Sequence, residues 1–87
     1  MHQLLIEYVG TVFFLFVIIT TGNPLAIGAA LALACYIGGP ISGGNYNPAV
    51  TLLMVLAGKQ KKETLFTYVI MQLVAAVTVL QIYKRLN

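Results

Sequence analysis

The chain has 87 residues, 60% of them hydrophobic and 8% charged, with a formal net charge of +3. A soluble domain carries about 25% charged residues. So few charges at a mean hydropathy of +0.92 exclude an ordinary soluble domain and point to a membrane protein. The basic balance comes from five Lys and Arg against two Asp and Glu, without a basic face or an aromatic–basic motif, which argues against nucleic-acid binding.

In chain order, the N-terminus MHQLLIEY lacks the positive start of a cleaved signal and no cleavage pattern follows it, so the first apolar segment reads as a retained helix. That segment covers residues 4–21, enough to span a bilayer, and carries one ionisable residue, Glu7. An ionisable group there is costly unless it faces the protein interior and finds partners; the alternative is snorkelling to the near interface. Gly22-Asn23-Pro24 reads as a turn. The second segment, residues 24–39, is rich in Ala and Gly, and Ala30, Ala34 and Gly38 recur every four residues, a stripe that permits close helix packing. Cys35 is the sole cysteine, so no intrachain disulfide forms, and it reads as a small buried hydrophobe.

Residues 41–57 begin with ISGGNYNPAVT. Asn47 is a strong helix N-cap, and Pro48 suits the first helical position because its missing N–H has no partner there anyway. A helix over residues 48–57, stopped by Gly58, would be roughly 15 Å long, half of a hydrocarbon core. The stretch reads as a loop that dips into the membrane and returns as a half-helix, with a position at the membrane surface as the alternative. A half-helix N-terminus at the midplane carries unpaired N–H groups and partial positive charge. Irregular backbone at that depth is tolerated only inside protein or beside a water-filled cavity. The carbonyls of Gly43, Gly44 and Asn45 and the Asn47 amide would then line a path for small polar molecules and oppose cations. Lys59 to Glu63 form a polar connector, and a third segment, residues 64–83, ends at Lys84-Arg85, an interface anchor that points to a complete chain. Gln72 lies in the middle of this segment, where its amide is available either to the loop or to an interhelical hydrogen bond.

The stretch SGGNYNPAVT resembles the first-half signature of the major intrinsic proteins, the aquaporins and glycerol facilitators, written SGxHxNPAVT. Glu7-Tyr8-Val9-Gly10-Thr11 is similar to the first-helix motif E-x-x-x-T, and YVIMQLVAA, residues 68–76, to the third helix with Gln72 in place. The resemblance implies an all-α membrane protein with three transmembrane helices and one re-entrant half-helix, half of an inverted-repeat bundle. It implies that Asn47, Pro48 and Ala49 form the pore motif, that the Asn47 amide donates to the passing molecule, and that Glu7 and Gln72 brace the loop. Asn45 departs from the pattern, standing where the family has His and removing a titratable group. Ile27, twenty residues before Asn47, takes the place of an outer-constriction residue; Cys35 and Val50 are further constriction candidates.

The family's chains hold two such halves. This chain has one NPA and no arginine after it. One half leaves its polar loop facing lipid, which is costly. Loop charge, three basic residues on the N-terminal side against two opposite, favours the N-terminus inside only slightly and permits insertion both ways. The expected assembly is an antiparallel homodimer in the lipid bilayer, enclosing one channel for water and small neutral solutes such as glycerol or urea. The alternatives are a non-conducting fragment or accessory subunit of another channel, and a hole-forming membrane protein, against which the NPA register counts. No nucleophile–base pair, metal-ligand cluster or phosphate loop is present, and the sole histidine, His2, is terminal, so an enzyme is not expected and no catalytic residue, metal or cofactor is assigned.

Overall fold

A computed structural model describes residues 2–86. They form four helices: α1 (His2–Thr21), α2 (Pro24–Ser42), α3 (Pro48–Leu56) and α4 (Thr64–Leu86). Three of them, α1, α2 and α4, are long and apolar enough to cross a membrane, and the chain is an integral membrane protein. The molecule measures 41 × 24 × 20 Å, its long axis matching the roughly 40–45 Å of a bilayer with its headgroups.

Local chemistry sets the ends of the helices. Gly22, in the left-handed region at φ 57°, turns the chain out of α1. Asn23 then caps α2, its Oδ1 accepting from Ala26 N at 3.0 Å, with Pro24 in the first turn. Asn47 caps α3 in the same way, Oδ1 accepting from Ala49 N at 2.8 Å ahead of Pro48. The other end of α3 closes on Gly58 at φ 75°, with Lys59 N donating to Met54 O at 2.9 Å and Gly58 N to Val55 O at 3.1 Å, the paired bonds of a Schellman motif. Nine residues make α3 about 14 Å long, a half-span. Lys84 and Arg85 occupy the last turn of α4, the favourable end of its dipole for cations.

Helix ends differ from the sequence reading: α1 begins at His2, α3 ends at Leu56 and α4 runs to Leu86, against residues 4, 57 and 83, and the end of α2 differs with consequence for the site. The composition places the end of the second segment at Gly39, but α2 continues through Pro40 to Ser42. Pro40 lies in the last turn, where it forgoes the N–H that would reach Tyr36 O and crowds that carbonyl, while Gly39 before it has no Cβ to meet the proline ring. The helix then stops at Gly43, φ 94°, whose N–H returns to Gly39 O at 2.8 Å.

Packing is organised by α1, which lies between α2 and α4, while α3 rests on α4. The stripe Ala30, Ala34, Gly38 is buried on α2, and small side chains let the two backbones approach. The interior is more polar than the exterior. Glu7, Thr11, Ser42, Asn45, Thr51 and Gln72 are buried, whereas Leu25, Leu53, Leu56 and Phe66 are exposed. That inversion suits a lipid surround, where apolar side chains face outward at no cost and polar ones must find partners inside.

Candidate functional site

The site grows from Glu7 in the second turn of α1. Its side chain is fully buried, not turned to the interface. The carboxylate accepts four hydrogen bonds: Oε2 from Ser42 Oγ at 2.7 Å and Asn45 N at 3.1 Å, Oε1 from Tyr46 N at 2.8 Å and Gln72 Nε2 at 3.0 Å. All four donors are neutral. A buried carboxylate is tolerated where such dipoles replace its water, and two of these come from consecutive loop amides.

Ser42 and Thr51 extend the network. Ser42 Oγ also accepts from Gly44 N at 3.1 Å, so the amides of three successive loop residues, Gly44 to Tyr46, turn inward. Tyr68 of α4 donates to Ser42 O at 2.7 Å, tying α4 to the end of α2. Thr51 Oγ1, fully buried on α3, accepts from Asn45 Nδ2 at 3.0 Å and Gln72 Nε2 at 2.8 Å, and donates to Asn47 O at 3.3 Å. Both N–H groups of Gln72 are thereby used, while its buried Oε1 has no partner among the described residues.

Tyr46 is the loop's anchor. It holds φ 57°, the one non-glycine residue in the left-handed region among the described residues, and is 2% exposed. Its hydroxyl donates to Ala34 O at 2.7 Å. The ring occupies the space left by Gly10 of α1 and Gly38 of α2; a Cβ on either glycine would run into it. The cost of the strained backbone is offset by burial and by the Glu7–amide bond at the same residue.

The structure therefore brings Glu7, Gln72, Gly44 and Asn45 into one cluster, with Cys35 beside it, its Sγ 3.5 Å from Gly44 O. Asn47, Ala49 and Gly43 are exposed, Pro48 is half-buried, and Val50 is 37% exposed on the first turn of α3. The Asn47 amide nitrogen makes no hydrogen bond within the described residues. Ile27 is not part of the cluster: it lies in the first turn of α2, on the order of 24 Å along the helix from Gly43, since each helical residue rises 1.5 Å. Sequence reasoning assigned no role to Ser42, Thr51, Tyr68 or Gln60. Thr51 carried a readable signal, four residues after the Asn47 cap and so on the same helix face, but Ser42 carried none once α2 was ended at Gly39.

An apolar cleft of about 280 Å³ between α1 and α2, lined by Ile6, Phe13, Leu33, Ile37 and Tyr46, offers no free polar group to orient a solute. Among the described residues no cluster of His, Cys, Asp and Glu would hold a metal.

The family described as Major intrinsic protein matches residues 1–86. The "Glycerol uptake facilitator protein-like 6" of Lactiplantibacillus plantarum is 37% identical over 86 residues, covering 88% of this chain and 40% of that protein. "Aquaglyceroporin AqpS" of Rhizobium meliloti is 40% identical over 55 residues, 63% of this chain and 24% of that protein. Human "Aquaporin-9" is 47% identical over 58 residues, 62% of this chain and 20% of its own length. The aligned part is thus well under half of each of these relatives. No solved structure matches significantly.

Proposed function

Because the chain belongs to the major intrinsic protein family, we propose that it forms one wall of a passive membrane channel for water and small neutral solutes such as glycerol. The observation that carries this reading is the division of labour in the loop. Its N–H groups from Gly44 to Tyr46 are spent inward on Ser42 and Glu7, and the Asn47 oxygen is spent on capping α3. The Asn47 N–H₂ group remains exposed, at a helix N-terminus of positive partial charge. A hydroxyl or water oxygen is the natural acceptor for that group, whereas a cation is repelled by it. In this reading Asn47, Pro48 and Ala49 are the pore motif, Gly43, Gly44 and Asn45 line the path through their carbonyls, and Glu7 and Gln72 hold the loop in place.

A single copy leaves Gly43, Asn47 and Ala49 uncovered, and polar backbone facing lipid is costly. The covering element is a second half in inverted orientation, supplied by a second copy in an antiparallel homodimer. The lining of such a pair draws on Cys35, Gly44 and Val50 beside the loop and on Ile27 at the opposite end of α2, and contains no arginine. It admits glycerol as well as water.

Two measurements test this. In membranes, cysteine-accessibility labelling at the two ends of α1, in a Cys35→Ser background, should find both orientations. A single orientation throughout rules out the homodimer and assigns the covering half to another polypeptide segment. In vesicles, a water flux that excludes glycerol would contradict the arginine-free constriction.

A further inference from the structure

The connector after α3 carries Lys59, Lys61, Lys62 and Glu63, all exposed, yet Gln60 among them is half-buried and turned inward. Both ends of its amide are used. Oε1 accepts from Asn45 Nδ2 at 2.8 Å, and Nε2 donates to Thr64 Oγ1 at 2.8 Å. Thr64 Oγ1 in turn donates to Lys61 O at 2.6 Å. On the other side, Asn45 Nδ2 donates to Thr51 Oγ1 at 3.0 Å, which also accepts from Gln72 Nε2 at 2.8 Å, and Gln72 Nε2 donates to Glu7 Oε1 at 3.0 Å. A relay of amides and hydroxyls thus joins the aqueous connector to the buried carboxylate. Gln60 Oε1 also lies next to the exposed loop: a Cβ on Gly43 would sit 4.0 Å from it and 3.6 Å from Asn45 Oδ1.

We propose that Gln60 is a positioning residue that latches the connector across the N-terminal-side mouth of the re-entrant loop through Asn45, and so limits the size of solute admitted there. The selectivity half of this inference rests on the channel reading; the latch does not. A carboxamide suits the task because it accepts and donates at once, and its span reaches from α4 to the loop. A charged residue would bring a desolvation cost at this half-buried position. The loop partner is the asparagine that stands where the resembled pattern has histidine, so the latch contains no group that titrates near neutral pH.

The full chain in lipid nanodiscs, open to solvent on both faces, tests the latch through limited trypsin cleavage at Lys59, Lys61 and Lys62. Loss of the Gln60–Asn45 hydrogen bond, worth about 1 kcal/mol net, corresponds to cleavage faster by about fivefold, and Gln60→Leu, which keeps the bulk but also loses the bond to Thr64, should be accelerated at least that much. Asn45→Ala leaves the connector sequence untouched and should give about the fivefold acceleration, and the double variant should cleave no faster than Gln60→Leu. A cleavage rate equal to wild type in both single variants would overturn the latch, as would additive effects. Circular dichroism on the same samples distinguishes this from unfolding, because the helical signal must persist. In vesicles, Gln60→Ala should raise the permeability of a five-carbon polyol relative to glycerol. A ratio unchanged in a conducting Gln60→Ala would remove the selectivity role. A wild type that conducts nothing would refute the channel reading, with the trypsin comparison still deciding the latch.

Discussion

Glu7 and Gln72 stand 65 positions apart in the chain, yet Gln72 Nε2 donates to the Glu7 carboxylate at 3.0 Å. The contact joins α1 to α4, and the second Gln72 N–H group joins α4 to Thr51 of the half-helix at 2.8 Å. The two loop amides on Glu7 complete a clamp in which three helices hold one short irregular segment. Its geometry leads to several measurable consequences.

Glu7→Gln replaces one acceptor oxygen by an N–H₂ group, and on whichever side that group falls the backbone N–H of Asn45 or of Tyr46 loses its acceptor. We expect destabilisation of about 3 kcal/mol, the cost of an unmatched buried contact to a formerly charged group. Thermal unfolding in detergent, followed by far-ultraviolet circular dichroism, reads it. A midpoint equal to wild type would contradict the clamp.

Thr51→Val keeps the shape of a β-branched side chain and removes the oxygen that accepts from both Asn45 and Gln72. Two buried donors are then left short, and we expect a loss of about 2–4 kcal/mol. Thr51→Ser retains the oxygen and should recover most of it. Equal stability of the Val and Ser variants would show that the hydroxyl does not matter.

Tyr46 and Gly10 are matched in volume, since a methyl group on Gly10 would collide with the tyrosine ring. Gly10→Ala should therefore destabilise by about 1–3 kcal/mol through overpacking. Adding Tyr46→Leu, which is costly by itself, should leave a double variant more stable than the sum of the two losses indicates. Simple additivity would mean that the ring moves aside freely.

Cys35 Sγ lies 3.5 Å from Gly44 O, against the segment assigned to the path. A methanethiosulfonate adduct there would fill space beside Gly44. Permeability should fall on treatment of the wild type and stay unchanged in Cys35→Ser. Full activity of the labelled wild type would take Cys35 out of the constriction.

Much of the architecture was legible in the sequence, for identifiable physical reasons. Three long apolar segments, a turn at Gly22-Asn23-Pro24 and the pair Asn47-Pro48 specify three spans and a half-helix, because composition and capping act locally. That Glu7 requires partners inside the protein follows from the cost of an ionisable group in an apolar helix. Which atoms supply them does not follow from local chemistry. Ser42 reaches Glu7 only because α2 continues past Gly39-Pro40, where local propensity places its end, and tertiary contact outweighs a proline in the last turn. The positive φ of Tyr46 was hidden for the same reason. A tyrosine does not choose that conformation; the cavity between Gly10 and Gly38, formed by two separate helices, holds it there. Gln60 carried no signal, being one polar residue in a polar connector.

The central claim is that solutes pass along the loop that ends in Asn47. Its most direct test is osmotic shrinkage of liposomes containing this chain alone, under water and then glycerol gradients, with Asn47→Asp prepared in parallel. Aspartate keeps the capping oxygen and removes the N–H₂ group, so the fold is retained while the donor is lost and a charge enters the path. Permeation well above that of empty liposomes for both solutes, abolished in Asn47→Asp, is the result this account requires. Shrinkage of the wild type no faster than that of empty liposomes, or equal in wild type and variant, would contradict it.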